Sequence, residues 1–184
     1  MLVVSELEQL PVQAARAGEA DAWNLLFKRY QLPLYTYVFE FVHQEQSSLD
    51  IVQETFINAA RHIGGLREDA KFGSWLFSIA HRKCIQHWRK HRPEHVPIES
   101  DDDQFTEVEA GPLELLVREE QEAEFMKALE QLALPHRAVI VLHFLEDFSL
   151  EEIAAITETP LGTVKSRLHY ARKALRDLMK RSEA

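Results

Sequence analysis

The stretch SLEEIAAITETPLGTVKSRLHYARKAL, residues 149–175, decides the fold of the C-terminal third of this chain. Ser149 and Glu152 form the capping-box pattern S-x-x-E, which predicts the start of a short helix. The segment TETP that follows predicts a turn, with Thr159 as the N-cap of a second helix and Pro160 at its first position. The stretch therefore predicts two helices joined by a tight turn, the arrangement called helix-turn-helix.

The second of these helices has two chemically different faces. Apolar residues recur at spacings of three and four and predict a buried stripe, which consists of Val164, Leu168, Ala171, Leu175 and Leu178. Basic residues recur at the same spacing on another face, namely Lys165, His169, Arg172 and Arg176. A helix in the major groove contacts bases near its N-terminus and phosphates through arginine or lysine. We therefore predict duplex DNA as the ligand of this face, although a merely solvated basic face would show the same charges.

The basic helix belongs to an acidic chain, but the acidity is local. The 184 residues carry a net charge of −9, and residues 1–92, 93–130 and 131–184 carry +1, −11 and +1. Residues 93–112 hold three prolines and three consecutive aspartates, which predicts a flexible acidic linker. Strand signals are nearly absent elsewhere and helical periodicity dominates. We expect an all-α protein whose two small helical domains, residues 1–92 and 113–184, are joined by this linker.

Local signals predict the helix boundaries of the first domain. Gly18 predicts the end of a first helix, and Asp21 the N-cap of the second. Within that second helix Pro33 predicts a bend or a new start. Ser47 or Ser48 predicts the next N-cap, and GGLREDAK predicts a loop before a last helix that ends at the linker.

The C-terminal domain resembles region four of bacterial sigma factors of the extracytoplasmic-function (ECF) group. The matching residues are Leu134, Pro135, Arg137, Val139, Ser149, Glu152, Ile153, Ala154, the run GTVKSRL from Gly162 to Leu168, Ala171 and Arg172. The chain departs from the family pattern at Glu158, where glycine is frequent, and at Tyr170, where arginine is frequent. The resemblance implies recognition of a promoter minus-thirty-five element by Thr163, Lys165, Ser166, Arg167, His169, Tyr170 and Arg172. Among these we expect Lys165, Ser166 and His169 to contact bases and Arg172 to anchor a phosphate.

The N-terminal domain resembles region two of the same family. The segment DIVQETF, residues 50–56, matches the pattern D-x-V-Q-E-x-F. The resemblance implies that this helix binds the clamp of the largest RNA polymerase subunit through Asp50, Val52, Gln53, Glu54 and Phe56. A purely structural amphipathic helix would have a similar sequence. The pattern therefore supports the resemblance mainly because a second region-two motif follows it.

That second motif is FGSWLFSIA, residues 72–80, which matches the region-two pattern F-x-x-W-L-x-x-I-A. The resemblance implies that this helix and the loop before it recognise and open a promoter minus-ten element, a step that holds an unpaired base in a protein pocket. The implied residues are Arg67, Asp69, Lys71, Phe72, Trp75, Arg82 and Arg89. We expect most of the apolar ones to pack in the core and the loop residues to contact bases. The chain departs from the pattern at Arg82 and Gln86, where the family usually has asparagine and aspartate.

Partners and location follow from the resemblance and from the composition. The resemblance implies core RNA polymerase, promoter DNA and an anti-sigma factor as partners. The sequence contains neither a secretory signal pattern nor about 18 consecutive apolar residues, so we expect a cytoplasmic protein without membrane insertion. The single cysteine is consistent with a reducing compartment.

The sequence bears on three other classes of function. The chain has no phosphate-binding G-x-x-x-x-G-K-[ST] loop and no H-E-x-x-H pattern, so we expect neither an enzyme nor a cofactor. Cys84, His87 and His91 are spaced by three and four residues, so one helix face could gather them around zinc as a metal-responsive sensor. A helix-turn-helix regulator that binds DNA without polymerase is the stronger alternative.

Overall fold

The protein is helical in all the parts whose structure is described. A computed structural model describes residues 10–91 and 119–182. Within those residues every regular element is a helix, which confirms the predicted all-α fold. The predicted acidic linker, residues 93–112, lies outside the described residues. No helix of the described part combines the length and apolarity needed to cross a bilayer.

Four helices form the N-terminal unit. They are α1 (Val12–Arg16), α2 (Ala20–Val42), α3 (Glu45–His62) and α4 (Phe72–His91). Helices α2, α3 and α4 pack on one another, and their largest fully buried side chains are Leu26, Leu34, Tyr37, Phe72, Leu76 and Phe77. The predicted loop between α3 and α4 contains two single turns of 3-10 helix, Ile63–Gly65 and Asp69–Lys71.

The start of α2 shows both a correct and a wrong boundary prediction. Gly18 follows the end of α1 with φ +89°, a conformation that favours glycine, as the sequence predicts. Asp21 is not the N-cap, because α2 begins at Ala20 and Asp21 lies in its first turn. A carboxylate there still interacts favourably with the helix dipole. Helix α2 continues through Pro33 instead of restarting there.

The start of α3 also differs from the prediction. The helix begins at Glu45, so Ser47 and Ser48 lie inside its first turn and neither is the N-cap. The Ser48 hydroxyl donates to the carbonyl of Gln44 at 2.8 Å, a bond to a backbone acceptor four residues earlier. Such a bond is available to a serine within a helix, so serine alone does not locate the cap.

Four further α-helices form the C-terminal unit, together with a π-helical segment, Val141–Leu145, that follows the second of them and carries Phe144. They are α5 (Glu119–Glu130), α6 (Leu134–Ile140), α7 (Leu150–Thr157) and α8 (Leu161–Ser182). The predicted capping box at α7 is confirmed, since Ser149 Oγ accepts the Glu152 N–H at 3.2 Å and Glu152 Oε2 accepts the Ser149 N–H at 2.9 Å. The predicted stripe of α8 is also confirmed. Val164, Leu168, Ala171 and Leu175 are buried, and Leu178 is half-buried.

The turn between α7 and α8 differs from the predicted cap geometry. Glu158 follows α7 in the left-handed conformation with φ 54°. Helix α8 begins at Leu161, directly after Pro160, so Thr159 is not its N-cap. The Thr159 hydroxyl is instead hydrogen-bonded to that of Thr157 at 2.8 Å, which closes the turn from the α7 side.

The two units pack against each other through α4 and α7. The rings of Phe77 in α4 and Phe148, which precedes α7, have centroids 5.0 Å apart. Arg137 of α6 is buried and donates to the carbonyl of Glu40 at the end of α2, at 2.6 Å. The same guanidinium donates to the carbonyls of Glu130 and Leu132. Arg137 therefore ties the ends of α2 and α5 together.

Candidate nucleic-acid and polymerase interfaces

The N-terminal half of α8 presents polar side chains outside its buried stripe. Lys165 and Tyr170 are exposed, while Thr163, Arg167 and His169 are half-buried. The rings of His169 and Tyr170 lie edge to face with centroids 5.6 Å apart. These five side chains offer cations, a hydroxyl and an aromatic ring at the start of a helix, the chemistry that contacts bases and phosphates.

Two of the residues predicted to contact the minus-thirty-five element are buried instead. Ser166 is only 6% exposed, and its hydroxyl donates to the carbonyl of Thr163 at 3.0 Å. Arg172 is 9% exposed, and its guanidinium lies 5.7 Å from the centre of the Phe144 ring. Burial lowers the pKa of Arg172, with a further contribution from Arg176. As placed, both residues support the position of α8 and neither offers an open surface to DNA.

The loop before α4 is held by a residue that the sequence analysis missed. Arg16 of α1 donates to the carbonyl of Leu66 at 3.0 Å and to Asp69 Oδ1 at 2.7 Å. It therefore fixes the loop that carries three of the predicted minus-ten residues. Asp69 is engaged by this ion pair, whereas Arg67 is exposed. No local pattern around Arg16 marks this role, because its partners lie some 50 residues further along the chain.

Lys71 closes the same loop and α4 continues from it. Its ammonium group pairs with Glu68 at 2.7 Å, and both side chains are exposed. Phe72 is fully buried, so its ring cannot stack on a base in this arrangement and belongs to the core. Trp75 is half-buried against Phe72, with ring centroids 5.9 Å apart. Trp75 is therefore the aromatic residue of the segment FGSWLFSIA whose ring is accessible to a ligand.

The C-terminal half of α4 carries two exposed arginines. Arg82 and Arg89 are both on the surface of the helix. Arg82 donates to the carbonyl of Ser78 at 3.2 Å and pairs with Glu158 of the C-terminal unit at 3.6 Å. Arg82 and Glu158 are both positions at which the chain departs from the ECF pattern.

A buried histidine lies beneath this surface. His81 of α4 is 9% exposed, and its Nδ1 lies 2.7 Å from the hydroxyl of Tyr37. Burial lowers the pKa of His81 to about 4, and the nearby charges of Arg167 and Arg82 act in the same direction. His81 is therefore neutral at pH 7 and packs as a hydrogen-bonded core residue.

Helix α3 carries the residues predicted to bind polymerase, and they divide by burial. Asp50, Gln53 and Glu54 are exposed, whereas Val52 and Phe56 are buried and support the helix from below. Glu54 pairs with Lys83 of α4 at 2.7 Å, and this hydrogen bond lowers the pKa of Glu54. The carboxylate therefore keeps its negative charge on an exposed surface.

Two exposed apolar residues of α3 were not among those predicted. Leu49 is 47% exposed and Ile57 is 43% exposed. They lie four residues before and after Gln53, so all three residues share one side of the helix. The spacing was visible in the sequence, but exposure was not, because the same residues could equally have packed in the core. The outer side of α3 thus combines apolar and acidic side chains, and we call Leu49, Gln53 and Ile57 the α3 ridge.

The residues proposed for zinc do not form a site. Cys84 is fully buried, and burial raises the pKa of its thiol to about 12. His87 and His91 stack on each other with ring centroids 4.1 Å apart, and His91 Nδ1 bonds the His87 carbonyl at 2.8 Å. Among residues 10–91 and 119–182, no group of three or more histidine, cysteine or carboxylate side chains is gathered for a metal ion.

A cleft of about 910 Å³ lies between the two units. We call it the interdomain cleft. From the N-terminal unit, Arg82, Trp88 and Arg89 line it. From the C-terminal unit, Glu158 and Arg167 do so, and the ends of α2 and α6 close it with His43, His136 and Arg137. The basic residues predicted for two different DNA elements therefore face one cavity.

Comparison with protein families matches each unit separately. The family described as Sigma-70 region 2 matches residues 26–94, and the family described as Sigma-70, region 4 matches residues 122–175. The order and spacing of the two matches follow the two motif sets in the sequence. The matched residues include α3, α4, α7 and most of α8, the helices that carry the surfaces described above.

Whole-chain relatives and solved structures agree with these matches. The RNA polymerase sigma-H factor of Pseudomonas aeruginosa is 32% identical over 95% of this chain and 94% of its own. The ECF RNA polymerase sigma-E factor of Escherichia coli K12 is 32% identical over 91% of this chain and 92% of its own.

Two solved structures share the architecture. The sigma factor RpoE of Bartonella quintana, solved in complex with the anti-sigma factor NepR, superposes with a TM-score of 0.63 at 27% identity, over 84% of this chain and 96% of its own. CnrH, solved with the cytosolic domain of CnrY, shares the fold with a TM-score of 0.68 at 23% identity, over 94% of this chain and 97% of its own. The chain belongs to the ECF family of RNA polymerase sigma factors.

Proposed function

We propose that this chain binds core RNA polymerase and directs it to initiate transcription at specific promoters. The observation that carries the proposal is the presence, in one sigma-factor chain, of two separate surfaces of different chemistry. The start of α8 offers cations and hydrogen-bonding groups, and the α3 ridge offers apolar side chains beside carboxylates. The first surface suits DNA and the second suits a protein.

In this proposal α8 enters the major groove of the minus-thirty-five element. Thr163, Lys165 and His169 lie in the first turns, where a groove-bound helix comes within reach of base edges. Tyr170 stands where the family often has arginine, and its exposed ring can pack on a sugar or a thymine methyl group. Arg167 neutralises a phosphate, while Ser166 and Arg172 act indirectly because they hold α8 in place.

The loop before α4 and the exposed side of α4 take the minus-ten element. Melting exposes single-stranded bases, which bind through stacking and hydrogen bonds in a positively charged groove. Arg67 and Lys71 supply charge from the loop, Trp75 supplies an aromatic face, and Arg82 and Arg89 continue the charge along α4. Asp69 acts through Arg16, which holds the loop, and Phe72 acts by filling the core beneath it.

Core polymerase binds the outer side of α3 in the same proposal. Asp50, Gln53 and Glu54 form polar contacts, and Leu49 and Ile57 lose their exposed apolar surface on binding. Val52 and Phe56 contribute from beneath by fixing the helix.

The remaining expectations complete the proposal. The domains span residues 1–92 and 113–184, with residues 93–112 between them, and the chain acts in the cytoplasm. It contributes no covalent chemistry of its own, and the sigma factor family is not a class of enzymes. An anti-sigma factor regulates it, a proposal supported by the structural relative solved with the anti-sigma factor NepR.

Substitutions on the two surfaces test the division of labour. Lys165→Ala and His169→Ala should each reduce initiation about 5- to 150-fold, the effect of losing a base contact of about 1–3 kcal/mol, while affinity for core polymerase stays unchanged. Glu54→Ala should weaken affinity for core polymerase. Run-off transcription and gel filtration with core polymerase measure the two effects. Equal polymerase affinity in all three variants would contradict the proposal, and DNA binding without any polymerase complex would favour a stand-alone regulator.

A further inference from the structure

Two carboxylates on the outer side of α3 are held in place by neighbouring hydrogen-bond donors. Lys83 of α4 donates to Glu54 Oε2 at 2.7 Å, and the side-chain amide of Gln46 donates to Asp50 Oδ1 at 3.1 Å. Both carboxylates belong to the surface proposed to bind core polymerase. Asp50 is bonded within its own helix, whereas Glu54 is bonded by a residue 29 positions further along the chain. The orientation of Glu54 therefore depends on the packing of α4 against α3.

The two members of the Lys83–Glu54 pair differ in exposure. The side chain of Lys83 is 17% exposed, whereas that of Glu54 is 63% exposed. Lys83 is thus largely enclosed, and its ammonium group reaches the carboxylate at the end of a packed stem. Within the described part of the chain, Glu54 Oε1 accepts no hydrogen bond. One oxygen of the carboxylate is therefore fixed, and the other is open to a donor from a partner.

This ion pair orients a charge more than it stabilises the fold. Ion pairs with an exposed partner contribute little to folding stability, because water and salt screen them. The hydrogen bond from Lys83 lowers the pKa of Glu54, with a smaller contribution from Lys90, so Glu54 is ionised at pH 7. A side chain that is already ordered in the free protein loses less conformational freedom when a partner binds it. The pair therefore prepares Glu54 for a contact.

We propose that Lys83 is a positioning residue for polymerase binding, which holds the Glu54 carboxylate so that its open oxygen accepts a hydrogen bond from a basic or amide group of core polymerase. The inference rests on the proposed function, because it takes Glu54 as a polymerase contact. Lys83 acts through Glu54 and does not itself contact polymerase, since its side chain is largely enclosed. A residue of α4 thus contributes to an interface formed by α3.

Orientation and charge predict opposite effects of removing Lys83. If Lys83 acted only through its charge, its loss would leave a more negative surface and strengthen the attraction of a basic partner. If it orients Glu54, its loss weakens binding. Lys90 is an exposed residue of the same helix that also lowers the pKa of Glu54, but through its charge alone. Lys90→Met is therefore the matched control, because it removes the same charge and no hydrogen bond to Glu54.

The test is the affinity of the labelled full chain for core polymerase, measured by fluorescence titration without DNA. Lys83→Met removes the donor and keeps a long apolar stem. It should weaken binding about 2- to 12-fold, the loss expected when one more side chain must be ordered on binding. Lys90→Met should not weaken binding. Unchanged or tighter binding by Lys83→Met would overturn the inference, and so would an equal loss of affinity in Lys90→Met.

A double-mutant cycle separates positioning from a structural role of Lys83. In a chain that already carries Glu54→Ala, Lys83→Met should cause no further loss of affinity, because the carboxylate that Lys83 orients is gone. An equal loss with and without Glu54 would overturn the inference, since a merely structural lysine gives that result. Lys83→Leu takes the same place in the cycle if the methionine variant folds poorly. The proposed function fails differently, since Glu54→Ala itself would then bind core polymerase as tightly as the unsubstituted chain.

Discussion

At the scale of single residues, a buried polar group makes the stability of this chain depend on pH. His81 is buried against Tyr37, and this burial lowers its pKa, with further contributions from the guanidinium groups of Arg167 and Arg82. Its pKa of about 4 in the folded chain lies well below the ordinary value of 6.5. The unfolded chain therefore binds a proton between these two values and the folded chain does not, so stability is lost as the pH falls through this window.

We expect His81→Gln to remove part of this acid sensitivity. The shift from 6.5 to about 4 corresponds to at most about 3 kcal/mol of unfolding free energy, lost between about pH 6.5 and pH 4. Urea unfolding at a series of pH values measures it, with the exposed His62→Gln as control. A wild-type slope that persists in His81→Gln would show that other groups cause the acid sensitivity.

The sequence motifs predicted which helices carry the candidate DNA contacts better than they predicted which residues of those helices are exposed. Lys165 and Arg82 are exposed as predicted for DNA contacts, but Ser166 and Arg172 are buried although they belong to the same motif. A helix with 3.6 residues per turn places Ser166 on the side away from the apolar stripe, so spacing predicts exposure for it, and the Phe144 ring that lies against Arg172 comes from another element. The second contact is tertiary, so no spacing within α8 could predict it.

At the scale of helices, periodicity predicted which segments are helical and end signals predicted only some of their boundaries. The apolar stripe of α8 and the capping box of α7 were predicted correctly, because each depends on residues three or four apart. The N-caps at Asp21, Ser47 or Ser48, and Thr159 were wrong, because serine, threonine and aspartate also bond the backbone within turns. The exposed side of α3 could not be separated from its buried side until α2 and α4 were in place.

The α3 ridge gives a prediction at this scale. Leu49→Asp and Ile57→Asp should each weaken binding of core polymerase by about 1 kcal/mol or more, since each apolar side chain would lose its favourable burial. Their free energy of unfolding should change by no more than about 0.5 kcal/mol, because both residues are exposed in the free chain. Gel filtration or fluorescence titration with core polymerase measures binding.

Leu32→Asp is the matched control for the ridge, since Leu32 is an exposed leucine of the neighbouring helix α2. Unchanged polymerase affinity in both ridge variants would remove Leu49 and Ile57 from the proposed interface. The control should retain full affinity.

At the scale of the whole molecule, the two units are linked by contacts that no local pattern contains. Arg137 matches a family motif, but its hydrogen bond to Glu40 joins residues 97 positions apart. Burial lowers the pKa of Arg137 and raises that of Glu40, which is consistent with a tightly packed polar junction. The sequence predicted two domains and an acidic segment between them, whereas their mutual packing required the structure.

Arg137→Lys tests the importance of this junction. Lysine keeps the charge but lacks the branched group that reaches the carbonyls of Glu40, Glu130 and Leu132 together. The unfolding free energy should fall by about 1–3 kcal/mol. Arg176→Lys, at an exposed position of α8, should change it by no more than about 0.5 kcal/mol. Similar urea midpoints for the two variants would argue against a junction that depends on Arg137.

The central claim, that this chain converts core polymerase into a promoter-specific enzyme, is tested most directly by run-off transcription with purified components. Core polymerase, genomic promoter fragments and the full chain are combined, and transcripts are mapped with and without the chain. The account predicts discrete transcripts that begin at defined sites and depend on the chain, together with a stable complex on gel filtration. No chain-dependent transcript from any fragment, together with no complex with core polymerase, would contradict it.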